Sequence, residues 1–292
     1  MKFTFPEIIF ENKKRNSDEY LDIVREIKSD ILKSLALAKS GHTGGALGIA
    51  EVMAVLYFGG IMKYDSKNPN LPTRDRFILS AGHYASVLYS CLVRAGYFPA
   101  SELATLRKLG SKLQGHPPTV GVLPGIETTS GSLGQGISIA VGMAISDKMI
   151  DKNERKVFCL TGDGELQEGS CWEAAMSAGV YKLDNLCWIV DNNDCQIDGR
   201  VKDVMSIYPL ADKFKAFHFD VIEINGNDIS QIISALETFS SKHKDKSGKP
   251  LCIIAKTIMG NGISFMHDKY EWHGIPPTVE QTEIALQELQ QP

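Results

Sequence analysis

Short apolar runs that alternate with helical segments constrain the fold of this chain more than any other feature. Five runs of four to six residues have the length and composition of buried strands. Strands that alternate with helices pair in parallel through right-handed crossovers. The sequence therefore predicts an α/β fold, with an open, mostly parallel sheet and helices on both faces. The strands are expected at residues 76–80, 156–161, 186–190, 221–224 and 251–255.

The helices are predicted from apolar residues at helical spacing. In the first of them, residues 18–39, Tyr20 and Val24 recur on one face, and Ser17 is placed to cap the N-terminus. Residues 110–136 are rich in Gly, Pro, Thr and Ser, which predicts a long, ordered functional loop. No internal repeat or domain linker interrupts the 292 residues. Further helices are expected at 49–58, from Gly82 onward, and at 136–149, 170–179, 229–239 and 279–289.

The charge balance and the cysteine pattern exclude several classes of protein. With 31 basic and 35 acidic residues, the net charge of −4 argues against partners such as nucleic acid or a membrane surface. The longest apolar segment, residues 49–62, is too short to span a bilayer, and residues 1–10 lack the features of a signal peptide. Six cysteines without a C-x-x-C pair indicate buried thiols. We therefore expect a cytoplasmic protein.

Glycines and a carboxylate follow the second predicted strand, where ligands bind in open parallel sheets. Gly162 and Gly164 let the backbone approach a ligand closely, and the helix after them offers N–H groups to an anion. Asp163 lies between them, and an anion beside a carboxylate requires a cation to bridge the two. This pattern points to a diphosphate held through Mg²⁺. Asn193, after the next strand, and the backbone carbonyl of Cys195 are placed to supply further oxygens to the same cation.

The separation of 30 residues between Asp163 and Asn193, from one strand end to the next, resembles the signature of the thiamine-diphosphate enzymes. Further blocks narrow the resemblance to the transketolase family, and they follow in the same order along nearly the whole chain. Thr43 and Ser132 depart from that pattern, since proline is common at the first position in the family and is found in some members at the second. The blocks that resemble the family are residues 40–44, 75–83, 115–117, 131–136, 162–169, 191–199 and 272–274.

The resemblance implies a role for each matching residue. Asp163, Asn193 and the Cys195 carbonyl would hold Mg²⁺, or another divalent cation such as Ca²⁺ or Mn²⁺. Three histidines would face the substrate: His42 and His273 would take a proton from the donor sugar, and His116 would hold a hydroxyl group. The residues expected to contact thiamine diphosphate are His83, Gly131, Leu133, Asp163, Gly164, Asn193, Lys256 and His273.

Two alternatives about single residues stay open at this point. A Gly-His pair before an apolar run is also a plausible helix cap, which would give the histidines a structural role. Glu165 and Glu168 are not distinguished by their chemistry. The resemblance alone favours Glu168, as a glutamate at the subunit interface that supports the carboxylate of a pyrimidine-binding domain.

The resemblance also implies what this chain lacks. Residues 1–292 would form a single diphosphate-binding domain, and the pyrimidine-binding and C-terminal domains of full-length transketolases are absent. We therefore expect the N-terminal subunit of a split transketolase, in a dimer of heterodimers with a separately encoded C-terminal subunit. Its reaction would transfer a two-carbon ketol unit from a ketose phosphate to an aldose phosphate, as in the pentose phosphate pathway. A non-catalytic cofactor-binding module and a ketol transferase for an unusual sugar are the alternatives.

Overall fold

The centre of the fold is a parallel sheet, as the sequence predicts. The computed structural model describes residues 3–291; residues 1, 2 and 292 of the predicted single domain lie outside them. The strands in this part of the chain are β1 (Arg76–Leu79), β2 (Val157–Gly162), β3 (Leu186–Asp191), β4 (Cys195–Gln196), β5 (Gly199–Arg200), β6 (Asp220–Asn225) and β7 (Leu251–Lys256). The main sheet has the order β1-β2-β3-β7-β6 with every neighbouring pair parallel, and β4 and β5 form a separate antiparallel hairpin.

The predicted helices are present, and several short ones were not predicted. The α-helices are α1 (Tyr20–Ala38), α2 (Gly44–Gly48), α3 (Ala50–Phe58), α4 (Ala85–Arg94), α5 (Gln135–Ile145), α6 (Gly169–Val180), α7 (Val201–Val204), α8 (Leu210–Ala216), α9 (Ile229–Lys244) and α10 (Val279–Glu288). The cap predicted at Ser17 is wrong: α1 starts at Tyr20, and the reciprocal hydrogen bonds before it join Asn16 and Glu19. Short 3₁₀ segments occupy Gly82–Tyr84, Ala100–Thr105, Gly164–Gln167 and Tyr270–Trp272, and a π-helical turn occupies Ser146–Ile150.

Helices cover both faces of the sheet and create two separate apolar cores. Phe158 and Leu160 of β2 belong to the core formed with α1, α3, α4 and α9. Val157 and Cys159 of the same strand belong to the core formed with α5, α6 and α8. Successive side chains of a strand point to opposite faces, so a strand buried on both faces is apolar throughout. All six cysteines are buried and unpaired, and no helix in residues 3–291 is long and apolar enough to cross a membrane.

The register of the strands aligns their carboxyl ends at one edge of the sheet. Gly162 at the end of β2 pairs with Asp191 at the end of β3, and Asp191 pairs with Ala255 of β7. Asp163 continues this alignment, because its N–H donates to the Asp191 carbonyl at 3.0 Å. The segments that follow β2, β3 and β7 therefore leave the sheet side by side.

Helix α6 packs closely against the segment that leads into β6, and a glycine permits this approach. A Cβ atom at Gly179 would lie 1.9 Å from the Phe217 carbonyl oxygen, whereas a Cβ at Gly142 in α5 would meet nothing within 4 Å. We expect Gly179→Ala to lower the free energy of unfolding by about 1–3 kcal/mol, as overpacking does. Gly142→Ala is the matched control and should raise it by about 0.5–1 kcal/mol, because alanine favours the helix. Urea unfolding of both variants tests this, and equal destabilisation would contradict it.

Candidate functional site

A cavity of about 340 Å³ opens at the carboxyl end of β2. Its wall combines residues that follow β2 and β3 with four histidines from distant segments. This is the edge of an open parallel sheet at which ligands bind. The residues lining the cavity are His42, His83, Tyr84, His116, Gly131, Leu133, Gly162, Asp163, Gly164, Glu165, Gln167, Glu168, Cys195, Gln196, Ile197, Asp198 and His273.

The four histidines form one cluster, although they are far apart in the sequence. The ring of His42 lies 5.0 Å from that of His83, 5.6 Å from His273 and 6.5 Å from His116, and the rings of His83 and His273 are 5.2 Å apart. His42 precedes α2, and His116 comes from the long glycine-rich loop. Only the tertiary structure brings these segments together.

Burial makes the histidines of this cluster hard to protonate. It lowers the pKa of His42 to about 4, with further lowering by the neighbouring His273, and it lowers the pKa of His83, His116 and His273 as well. Nδ1 of His42, Nε2 of His83 and Nδ1 of His273 are buried without a hydrogen-bond partner. Neutral imidazoles with free nitrogen atoms can accept a proton from a ligand or donate a hydrogen bond to it.

Asp163 is held in place by backbone and side-chain donors at the end of β2. Its Oδ1 accepts the Gly164 N–H at 2.7 Å, and its Oδ2 accepts the Asp194 N–H at 2.6 Å and Asn192 Nδ2 at 3.0 Å. The expected helix does not begin directly after the glycines: a 3₁₀ turn comes first, its first N–H is taken by Asp163, and α6 begins at Gly169. Burial, and then the charge of Asp191, raises the pKa of Asp163 to about 7.

Asp191 links three elements around the site, a role that the sequence motifs did not indicate. Its carboxylate accepts hydrogen bonds from Tyr84 Oη and Asn193 Nδ2, both at 2.8 Å, and from the Thr257 hydroxyl. Burial raises its pKa to about 6. The signal for this role was present in the sequence, because a carboxylate at the end of an otherwise apolar strand is buried and needs several donors.

The oxygen atoms around Asp163 fit a divalent cation. Asn193 Oδ1 accepts the Cys195 N–H at 2.9 Å, so the amide oxygen is held in place by the segment that follows β3. No lysine or arginine among residues 3–291 forms an ion pair with Asp163 or Asp191. Two buried carboxylates without a cationic partner favour binding of a cation. No group of three or more His, Cys, Asp or Glu in this range is arranged to hold a metal ion, so any cation here depends on amide and carbonyl oxygens.

The hairpin of β4 and β5 links the segment that follows β3 to the segment that carries His273. Cys195 begins the hairpin and, like His273, lines the cavity. Arg200 at the other end of the hairpin donates to the Asp268 carboxylate and carbonyl, both at 2.8 Å. These bonds hold the segment that carries His273 over the cavity. This hairpin is not predicted from the sequence, because two-residue strands carry no periodic signal.

The structure distinguishes the two glutamates that the sequence left open. Glu165 is buried, and its carboxylate accepts hydrogen bonds from the Ser80 hydroxyl and from the N–H groups of Gly134 and Gly162, the last two at 2.8 and 3.2 Å. Glu168 is exposed at the mouth of the cavity. Glu165 therefore fixes the local backbone, and Glu168 is available to a ligand or a partner chain.

The remaining residues expected to contact the cofactor fall into two groups. Gly131 and Leu133 line the cavity. Gly131 has a φ of +144°, and a Cβ atom at this position would lie only 3.1 Å from the His116 ring. Lys256 does not line the cavity: it is the exposed last residue of β7, and its ammonium pairs with Glu223 on β6 at 3.0 Å. Lys256 therefore lies away from the other residues expected to contact the cofactor, and its contact stays a prediction.

Residues 17–290 match the protein family described as "Transketolase, thiamine diphosphate binding domain". The chain belongs to the transketolase family. This confirms the resemblance found in the sequence blocks, and it describes this part of the chain as a thiamine diphosphate-binding domain.

Two similar proteins are named as subunits of transketolases. One is a subunit of the apulose-4-phosphate transketolase of Actinobacillus succinogenes, and it is 44% identical over 85% of this chain and 87% of that protein. The other is the 6-deoxy-6-sulfo-D-fructose transketolase subunit SqwG of Clostridium sp., which is 40% identical over 94% of this chain and 98% of that protein.

Solved transketolase structures share the fold. The transketolase from Leishmania mexicana superimposes with a TM-score of 0.84 and 33% identity, over 94% of this chain and 41% of that one. The chain thus spans about two fifths of that full-length transketolase and nearly the whole of the subunit-type relatives.

The burial of His42 predicts a loss of stability in acid. Unfolded histidine has a pKa near 6.5, so the unfolded chain binds a proton before folded His42 does as the pH falls. Its neutral form therefore contributes fully above pH 6.5, and that contribution is lost toward pH 4. We expect the slope of unfolding free energy against pH in this window to be smaller in His42→Gln by up to about 1.4 kcal/mol per pH unit. Urea unfolding at several pH values measures it; the exposed His267→Gln is the control, and a His42→Gln slope equal to that of the wild type would contradict the prediction.

Proposed function

We propose that this chain is the cofactor-binding subunit of a two-chain transketolase that moves a two-carbon ketol unit from a ketose phosphate to an aldose phosphate. The observation that carries the proposal is the juxtaposition of four half-buried histidines with the Asp163 oxygen cluster in one cavity. Such a site can hold a diphosphate at one end and handle sugar hydroxyls at the other.

The cation and the cofactor would be held by different parts of the cavity wall. Asp163, Asn193 and the Cys195 carbonyl would bind Mg²⁺ or a similar divalent cation, and that charge would favour ionised Asp163. His83, His273 and Gly164 would contact the diphosphate, while Gly131 and Leu133 would lie against the rings. Bound thiamine diphosphate supplies the nucleophile and the electron sink for ketol transfer.

The histidines would handle the protons of the substrate. His42 and His273 lie 5.6 Å apart between ring centres, so both can face one hydroxyl group of the donor sugar. Because burial keeps His42 neutral at pH 7, it can accept the proton released when the donor is cleaved. His116 lies further out and would hold a neighbouring hydroxyl group.

The partner would be a separately encoded C-terminal subunit with the pyrimidine-binding domain, in a dimer of heterodimers. The naming of two similar proteins as transketolase subunits supports this proposal. Glu168, which is exposed at the cavity mouth, would contact the partner. The six buried, unpaired thiols fit a reducing cytoplasm.

The relatives also favour a second substrate class, because they are named for apulose-4-phosphate and 6-deoxy-6-sulfo-D-fructose rather than for common pentose phosphates. We therefore propose that the donor sugar is to be sought among such unusual ketoses as well as those of the pentose phosphate pathway.

Affinity purification of the chain from its host, with thiamine diphosphate and Mg²⁺ present, tests the two-chain proposal. Recovery of a stoichiometric second chain with a pyrimidine-binding domain would support it, and the complex is then assayed with a panel of ketose donors and aldose phosphates. Recovery of this chain alone, with cofactor bound, would instead favour a non-catalytic cofactor-binding module.

Removal of the Asp163 carboxylate should abolish cation-dependent cofactor binding. In Asp163→Ala, we expect thiamine diphosphate to bind the complex equally weakly with Mg²⁺ and with a chelator, since the cation loses an anionic ligand. Calorimetric titration measures this. Asp198→Ala, at the exposed rim of the same cavity, is the matched control and should retain the response to Mg²⁺. An Asp163→Ala variant with wild-type affinity would contradict the metal assignment.

Loss of His116 should affect turnover and leave the cofactor in place. We expect His116→Ala to lower kcat of the complex by about 10- to 100-fold, the effect of losing a hydrogen bond to a substrate hydroxyl. Steady-state kinetics and a parallel cofactor titration measure the two quantities separately. Weaker cofactor binding with unchanged kcat would place His116 against the cofactor instead.

A further inference from the structure

A second cavity lies at the opposite edge of the sheet. It has a volume of about 730 Å³ and is lined by parts of segments 148–156, 181–185 and 240–248, close to where β2 and β3 begin. The histidine cavity lies at the carboxyl ends of the same strands, so the two cavities share no lining residue.

The lining of this second cavity is strongly basic in an acidic chain. Its only acidic residues are Glu154 and Asp184, so the six lysines leave a formal charge of +4, whereas the whole chain carries −4. A local positive charge on a protein of negative net charge attracts small anions to that place. The six lysines are Lys148, Lys152, Lys156, Lys182, Lys244 and Lys246.

Two of these lysines are neutralised within the fold, and four are not. Lys148 Nζ pairs with Asp184 Oδ1 at 2.6 Å, and Lys156 Nζ lies 3.4 Å from Asp75 Oδ2. The ammonium groups of the other four make no ion pair or hydrogen bond to any residue in 3–291.

Helix ends account for part of the positive charge around this cavity. The π-helical turn, α6 and α9 all end here, and helix C-termini attract cations. Lys148 serves this purpose, because its ammonium donates to the Lys182 carbonyl that follows α6. Lys244 lies in the last turn of α9, and none of the four unpaired ammonium groups bonds to a carbonyl in residues 3–291.

Three residues of the cavity wall carry buried polar atoms without a partner: Asn185 Oδ1, Ser240 Oγ and His243 Nδ1. Asn185 is only 2% exposed, and its Nδ2 donates to the Ala144 carbonyl, so the free atom is the acceptor oxygen. His243 Nε2 lies 3.1 Å from the Glu154 carbonyl. Because a carbonyl only accepts, Nε2 carries a proton, and Nδ1 is the ring nitrogen left without a partner.

We propose that this cavity binds a hydroxylated phosphate monoester, such as a small polyol or sugar phosphate. The phosphate pairs with the unpaired lysines at the rim, and hydroxyl groups form hydrogen bonds with the unpartnered polar atoms of Asn185, Ser240 and His243. A bare phosphate satisfies the lysines and leaves these polar atoms unmatched, and a neutral polyol does the reverse. Leaving buried polar atoms unmatched is costly, so a ligand that meets both requirements binds best.

Calorimetric titration of the full chain with glycerol 3-phosphate, inorganic phosphate and glycerol tests the proposal. We expect glycerol 3-phosphate to bind most tightly. Lys182→Gln combined with Lys246→Gln should weaken its binding by at least about tenfold, since two charge-assisted contacts are lost. Lys63→Gln combined with Lys67→Gln removes two exposed lysines elsewhere and should leave the affinity unchanged.

Ser240→Ala tests the inner part of the cavity without disturbing the charge. The Ser240 hydroxyl has no partner in residues 3–291, so its removal should not lower thermal stability. It should reduce the preference for glycerol 3-phosphate over inorganic phosphate by about 3- to 10-fold, the effect of one neutral hydrogen bond.

Three results would overturn the proposal. These are absence of glycerol 3-phosphate binding at millimolar concentration, equal affinity of the two lysine pair variants, and binding that is lost in His116→Ala, which would place the ligand in the histidine cavity. A wild-type protein that binds inorganic phosphate as tightly as glycerol 3-phosphate would overturn the assignment of the hydroxyl groups.

Discussion

The parallel register of β2 with β3 is the constraint on which the site depends. Pairing of Gly162 with Asp191 places the loop after β2 beside the loop after β3, so that the Asp163 carboxylate accepts N–H groups from residues beyond Asp191. Asp191 then draws Tyr84 and Thr257 to the same point. A shift by one residue in this register would turn every side chain of a strand to the other face and separate these groups.

Burial gives the cavity its chemistry as well as its position. The same loss of water raises the pKa of Asp163 and lowers that of His42, because in both cases the charged form is penalised. The carboxylates then favour a cation, and the histidines remain neutral and able to take a proton. Both properties come from one environment, and neither is available to these residues in an exposed loop.

The two edges of the sheet differ in charge and in the ligands that they suit. The carboxyl edge holds carboxylates and neutral imidazoles, and the amino edge holds unpaired lysines around buried polar atoms without a partner. Helix ends contribute to this difference, since the C-termini of α6 and α9 lie at the amino edge. An anion bound at that edge would lie at the opposite end of the strands from the proposed cofactor.

The sequence by itself determined the strands, the main helices and the position of the Asp163 loop, because strands buried on both faces are apolar throughout and glycine-rich turns follow them. It indicated the four histidines of the cavity only through family resemblance, since they come from separate segments between residues 42 and 273. The role of Asp191, the hairpin after β3 and the exposure of Lys256 did not follow from it. Only the tertiary structure decided these, because hydrogen-bond partners and burial depend on which segments meet in space, and no local pattern of residues records that.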